Sequence, residues 1–152
     1  MLTGWRIVPA NRAVDAFVGE GARRFGGRWN SPGLAVVYGS AHKSLAALEQ
    51  LVHRPPHLPN LFKAFRFEFP ETLLEVVPPR SWPRDWRLSP PTPAAQQVGD
   101  AWVRANGSAV LAVPSSIIPE ELNFILNPAH PDFKKVAVDK PQDFAFDPRL
   151  LR

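Results

Sequence analysis

Four side chains in this 152-residue sequence suit the binding of an anionic, ring-bearing ligand beside an acid. Arg28 follows Gly26-Gly27, and paired glycines let a backbone approach a ligand closely and adopt positive φ, bringing a guanidinium to phosphate or carboxylate oxygens. Arg23 and Arg24 raise the positive potential of the same stretch. Tyr38 is the one tyrosine in a chain with ten phenylalanines, and it ends an apolar run. Its ring suits stacking on a base and its hydroxyl suits hydrogen bonding. Glu49 is a carboxylate among small and apolar neighbours, one helical turn from Leu45. Ser115 and Ser116 follow Val113-Pro114, and Asn123, Asn127 and His130 come shortly after.

Each residue also has a plainer reading. Arg28 fits a surface arginine at a tight turn, Tyr38 a half-buried core tyrosine, and Glu49 an exposed helix edge. The serines and asparagines fit turns in which their side chains satisfy local backbone groups. No Gly-x-Ser-x-Gly elbow surrounds either serine and no Asp-His pairing is suggested, so a hydrolase triad is poorly supported. With four histidines and no cysteine, neither a metal centre nor thiolate chemistry is expected.

The net charge of +4, with 13 arginines against 5 lysines, weakly favours anionic partners. No stretch approaches the roughly 20 apolar residues of a membrane span, and Met1-Leu2-Thr3-Gly4-Trp5-Arg6 lacks an apolar signal core. The absence of cysteine fits a cytoplasmic location. The length predicts one domain over residues 1–152.

The elements that must position these residues are short. Strands are predicted at Gly4–Pro9, Leu34–Tyr38, Leu61–Phe69, Leu73–Val77, Ala109–Val113, Lys135–Val138 and Phe144–Phe146. Asn11–Gly33 reads as loop. One helix is predicted from a Ser40 cap to about His53, ended by Pro55-Pro56, with Leu45, Leu48, Leu51 and Val52 as its apolar stripe. A second begins at Thr92-Pro93 and stops at Gly107, burying Val98, Ala101, Trp102 and Ala105. Pro79–Pro93, with Trp82 and Trp86, reads as an irregular surface excursion. Helices do not regularly separate the strands, so the fold class is α+β with a mixed or antiparallel sheet.

Three blocks in order resemble the RES-domain family, toxins of bacterial toxin–antitoxin pairs. They are Gly-Gly-Arg-Trp-Asn-Ser-Pro-Gly-x-x-Val-Val-Tyr, the Ala-Leu-x-Glu-x-Leu-Val-His helix, and Val-Pro-Ser…Asn-x-x-Leu-Asn-Pro-x-His-Pro-Asp-Phe. The resemblance runs from Arg6 to Arg149. It implies a core similar to ADP-ribosyltransferases and an activity that consumes NAD as a substrate, with no cofactor. Arg28, Glu49 and Ser115 match the family's catalytic positions, with Ser115 preferred over Ser116. Arg6, Arg28, Tyr38 and Asn123 become candidate substrate-binding residues. The implied chemistry is departure of nicotinamide from an oxocarbenium-like ribose, with water, inorganic phosphate or a protein side chain as acceptor. The implied partner is an antitoxin with a helix-turn-helix part. Two rivals stand beside this reading. One is a nucleic-acid-binding or RNA-cleaving protein using Trp82, Arg84, Trp86 and Arg87, against which acidic residues are interspersed. The other is a non-catalytic interaction domain.

Overall fold

A computed structural model describes residues 1–53 and 61–151. Eight strands are present among them: β1 (Leu2–Pro9), β2 (Val37–Ser40), β3 (Phe62–Phe69), β4 (Leu74–Val76), β5 (Val110–Pro114), β6 (Leu122–Leu126), β7 (Ala137–Val138) and β8 (Gln142–Phe144). Three α-helices accompany them: α1 (Glu20–Phe25), α2 (Lys43–Val52) and α3 (Pro93–Ala105). The strands form one sheet in the order β4-β5-β6-β2-β1-β3-β7, with β8 also pairing β3. Only β4–β5 is parallel. The architecture is the expected α+β domain with a mixed sheet.

Strand alternation decides what lies on each face. Phe65, Phe67 and Phe69 are buried on β3 while Arg66 and Glu68 are half-exposed and paired with each other. Phe67 and Phe69 join Val37, Val110, Ala112, Phe124 and Leu126 in the core of one face. The other face has two covers. Ala46 of α2 packs on Ile7, Phe62 and Ala64. Ala95 and Trp102 of α3, together with Trp29, pack on Leu111, Val113 and Ile125.

Several element boundaries differ from those predicted. Asn11–Gly33 contains α1. The second strand starts at Val37, and the Leu34 carbonyl accepts from Asn30 Nδ2 instead of joining the sheet. Ser40 ends that strand, and His42 caps α2 without a side-chain bond. Leu48 and Val52 are exposed, at 37% and 60%, and the buried face of α2 is Leu45 and Ala46. The Pro55-Pro56 stop lies outside the described residues. Thr92 does cap α3, accepting from Ala95 N at 3.3 Å, but the helix ends at Asn106, with φ 53°, and not at Gly107. The buried positions of α3 are Ala95, Gly99, Asp100 and Trp102, while Ala101 and Ala105 are exposed. β6 occupies a segment read as turns, and the last two strands are β7 and Gln142–Phe144.

Candidate active site

The sheet register assembles a polar cluster from distant residues. Ser40 of β2 pairs with Asn123 of β6, which pairs with Val113 of β5. Paired residues share a face, and Ser115, two beyond Val113, continues it. Glu49 follows Leu45 and Ala46 at helical spacings of four and three, so the buried side of α2 turns it inward. Glu49 Oε1 accepts from Ser115 Oγ at 2.7 Å and from Asn123 Nδ2 at 3.0 Å. Ser115 Oγ accepts from Ile117 N and Ile118 N, both at 3.1 Å, so its one proton is directed at Glu49. Ser115 is fully buried. Ser116 instead presents its backbone carbonyl, at 2.7 Å, to Arg87 Nε.

Arg28 enters from the glycine loop. Gly26 has φ 72° and caps the C-terminus of α1, and a Cβ on Gly27 would lie 2.7 Å from the Tyr38 hydroxyl. The loop is clamped onto α3: Ser31 N and Oγ donate to the two oxygens of buried Asp100 at 2.8 and 2.6 Å. Gln96 Nε2 donates to Gly27 O at 3.1 Å. Trp29 is buried and stacked on Trp86 at 6.0 Å and 24°. Burying its roughly 150–250 Å² at about 25 cal/mol/Å² contributes up to about 4–6 kcal/mol, anchoring the residue next to Arg28. Arg28 Nη1 donates to Trp86 O at 2.8 Å and to Leu88 O at 2.7 Å, so the Trp82–Trp86 excursion packs against this loop. Burial lowers the Arg28 pKa, while the charge of Glu49 and the Tyr38 phenol act in the opposite sense. The charge of Glu49 reaches Arg28 without a direct contact, since the two form none of the described ion pairs.

Tyr38 is half-buried, and its hydroxyl is already committed. It donates to Asn30 Oδ1 at 2.6 Å and accepts from Trp29 N at 3.1 Å. Burial pushes the phenol pKa upward. The hydroxyl is thus spent internally, and the ring packs against the cluster that holds Trp29 and Ile125. Arg6 sits behind it, donating through Nη1 to Tyr38 O and through Nε to Ala16 O, both at 2.7 Å. Burial lowers the Arg6 pKa to about 10, against a pull from Asp15.

Glu49, Ser115 and Asn123 are thus directly bonded, Arg28 and Tyr38 are electrostatically linked, and Arg6 supports the Tyr38 backbone. The other residues singled out have local roles. Arg23 pairs with Glu20, and Arg24 lies over the exposed Phe25 ring. Asn127 Oδ1 accepts from Ala129 N, and His130 Nδ1 accepts from Asp132 N, so both serve turns. No group of three or more histidines, aspartates and glutamates could hold a metal among the described residues. The sequence reading missed Ser40 as a site neighbour, and it missed Gly99 and Asp100 as the loop's anchors. Only Ser40 carried a signal, since a residue two beyond Tyr38 along an extended strand occupies the same face.

The comparisons extend to nearly the whole chain. The model of the RES domain matches residues 3–147. Toxin Res of Yersinia enterocolitica is 36% identical over 148 residues, covering 96% of this chain and 97% of that protein. Prs ADP-ribosylating toxin of a Sphingobium species is 38% identical over 154 residues, covering 97% and 96%. A chain of the M. tuberculosis MbcT–MbcA toxin–antitoxin complex shares the fold, with TM-score 0.78 and 20% identity over 99% of this chain and 86% of that one. With the fold, the extent of the match and these relatives in agreement, the chain belongs to the RES-domain toxin family.

Proposed function

We propose that this protein is a toxin that degrades NAD by breaking the nicotinamide–ribose bond. The observation that carries the reading is Glu49: a carboxylate turned inward, with one oxygen fixed by Ser115 and Asn123, whose charge acts on Arg28. The C1′–N bond breaks and its electron pair leaves with neutral nicotinamide. The ribose left behind carries oxocarbenium character. Glu49 stabilises that positive charge and accepts from a ribose hydroxyl through Oε2, which holds none of the described hydrogen bonds. Arg28, with Arg6 adding its charge, neutralises the pyrophosphate. The Tyr38 ring flanks nicotinamide, Ser115 orients the carboxylate, and Asn123 lies at the ribose edge. Water attacking C1′ gives ADP-ribose; inorganic phosphate gives ADP-ribose 1″-phosphate.

A second reading has one specific support, the Sphingobium relative named as an ADP-ribosylating toxin. The leaving-group step is the same and a protein side chain takes the place of water. An activity that drains NAD acts in the cytoplasm and needs restraint. A neutralising antitoxin with a helix-turn-helix part fits the fold shared with a toxin–antitoxin complex. Incubation of the purified chain with NAD, and separately with RNA, tests the reading. Nicotinamide release with intact RNA is expected; RNA loss with intact NAD would overturn it.

A further inference from the structure

Asn123 can serve Glu49 only in one orientation. Its side-chain amide has a donor end and an acceptor end, and only Nδ2 can bond a carboxylate. Turned over, the amide would place Oδ1 against Glu49 Oε1, two acceptors with no proton between them. Glu49, as an acceptor only, selects the first orientation, and the group that secures the other end of the amide is Ser40. Its Oγ donates to Asn123 Oδ1 at 2.7 Å, and Asn123 Nδ2 then reaches Glu49 Oε1 at 3.0 Å. Ser40 is 2% exposed, so water does not readily replace it. Its backbone is fixed from both sides, by β1 at Trp5 and by β6 at Asn123.

We infer that Ser40 is a positioning residue for the Glu49 carboxylate, acting through Asn123. Ser40 and Ser115 form the two ends of a chain of hydrogen bonds that meets at Oε1, and together they fix the carboxylate with Oε2, which makes no hydrogen bond among the described residues, turned to the ribose. The catalytic part of this inference rests on the NAD-cleaving function proposed above. The hydrogen-bond part does not.

Ser40→Ala and Ser40→Thr separate the hydroxyl from the packing. Steady-state nicotinamide release from NAD should show kcat lowered at least about tenfold in Ser40→Ala with KM within about twofold. Ser40→Thr keeps the hydroxyl and should stay within about threefold of the parent kcat. A Ser40→Ala kcat within about twofold of the parent, or equal impairment of both variants, overturns the inference. NMR of the unsubstituted protein gives an independent arm. The Asn123 side-chain amide protons should show stronger cross-peaks to the Glu49 side chain than to Ser40, and the reverse pattern overturns the inference whether or not Ser40→Ala folds. Absence of nicotinamide release by the unsubstituted protein would refute the proposed function, and the NMR arm would still decide whether the amide faces Glu49 with its donor end, as the hydrogen-bond part requires.

Discussion

Replacing Gly99 by alanine tests how the Arg28 loop is held. A Cβ there would lie 1.7 Å from the backbone oxygen of Trp29, whereas real Cβ contacts start near 3.0 Å. Helix and loop must therefore separate by more than about 1 Å at a point where backbone meets backbone. That separation also loosens the two Ser31–Asp100 bonds, leaving a buried carboxylate poorly served. Overpacking of this kind costs about 1–3 kcal/mol. At about 2–4 °C per kcal/mol for a chain of this size, Tm falls by roughly 2–12 °C. Arg28 precedes Trp29 in sequence, and a displacement of about 1 Å can lower catalysis about 100-fold. Thermal unfolding and nicotinamide release measure the two effects. Gly107→Ala is the control, since a Cβ there meets nothing within 4 Å. A Gly99→Ala protein with the parent Tm and turnover would show that the α3 contact does not set the loop.

Tyr38 is the one tyrosine, so absorbance at 295 nm reports its ionisation alone. Burial raises its folded pKa above the ordinary value of 10.0; the native signal should stay flat through pH 10–11, and the stability linked to this group is full below about pH 10 and declines as pH rises beyond it. A native titration near pH 10 would contradict the buried hydroxyl. Tyr38→Phe should lose about 1–3 kcal/mol in denaturant unfolding, through unpaired Asn30 and Trp29 groups, while turnover changes by less than about threefold. Arg28→Lys keeps the charge but loses the planar fork, so KM for NAD should rise about tenfold or more, a change that steady-state kinetics reads directly.

The parts of the fold set by local rules were legible. The Phe65-Phe67-Phe69 alternation announced a half-buried strand, and Thr92-Pro93 announced a helix start. β6 was not legible because Asn123 interrupts its apolar pattern, and the hydrogen bonds that justify an asparagine there come from β2 and α2, distant in sequence. α1 has only six residues, two of them arginines, too few for a helical period to stand out. The inward turn of Glu49 was hidden because Leu48 and Val52, the apolar residues suggesting the stripe, are on the exposed side. Likewise the residue type of Gly99 says nothing of the Trp29 backbone pressed against it. The candidate site was legible as a set of residues, but its connectivity belongs to the register: the serine bonded to Glu49 is Ser115, and the tyrosine hydroxyl is spent internally.

The most direct measurement follows NAD by NMR during incubation with the purified protein and with Glu49→Gln, each with and without inorganic phosphate. The parent should release nicotinamide, together with ADP-ribose in the absence of phosphate or ADP-ribose 1″-phosphate in its presence. Glu49→Gln should be slower by about 100- to 1,000-fold, the usual cost of removing a preorganised electrostatic partner. Intact NAD with the folded parent, or equal nicotinamide release by Glu49→Gln, would contradict the central claim that Glu49 carries the cleavage.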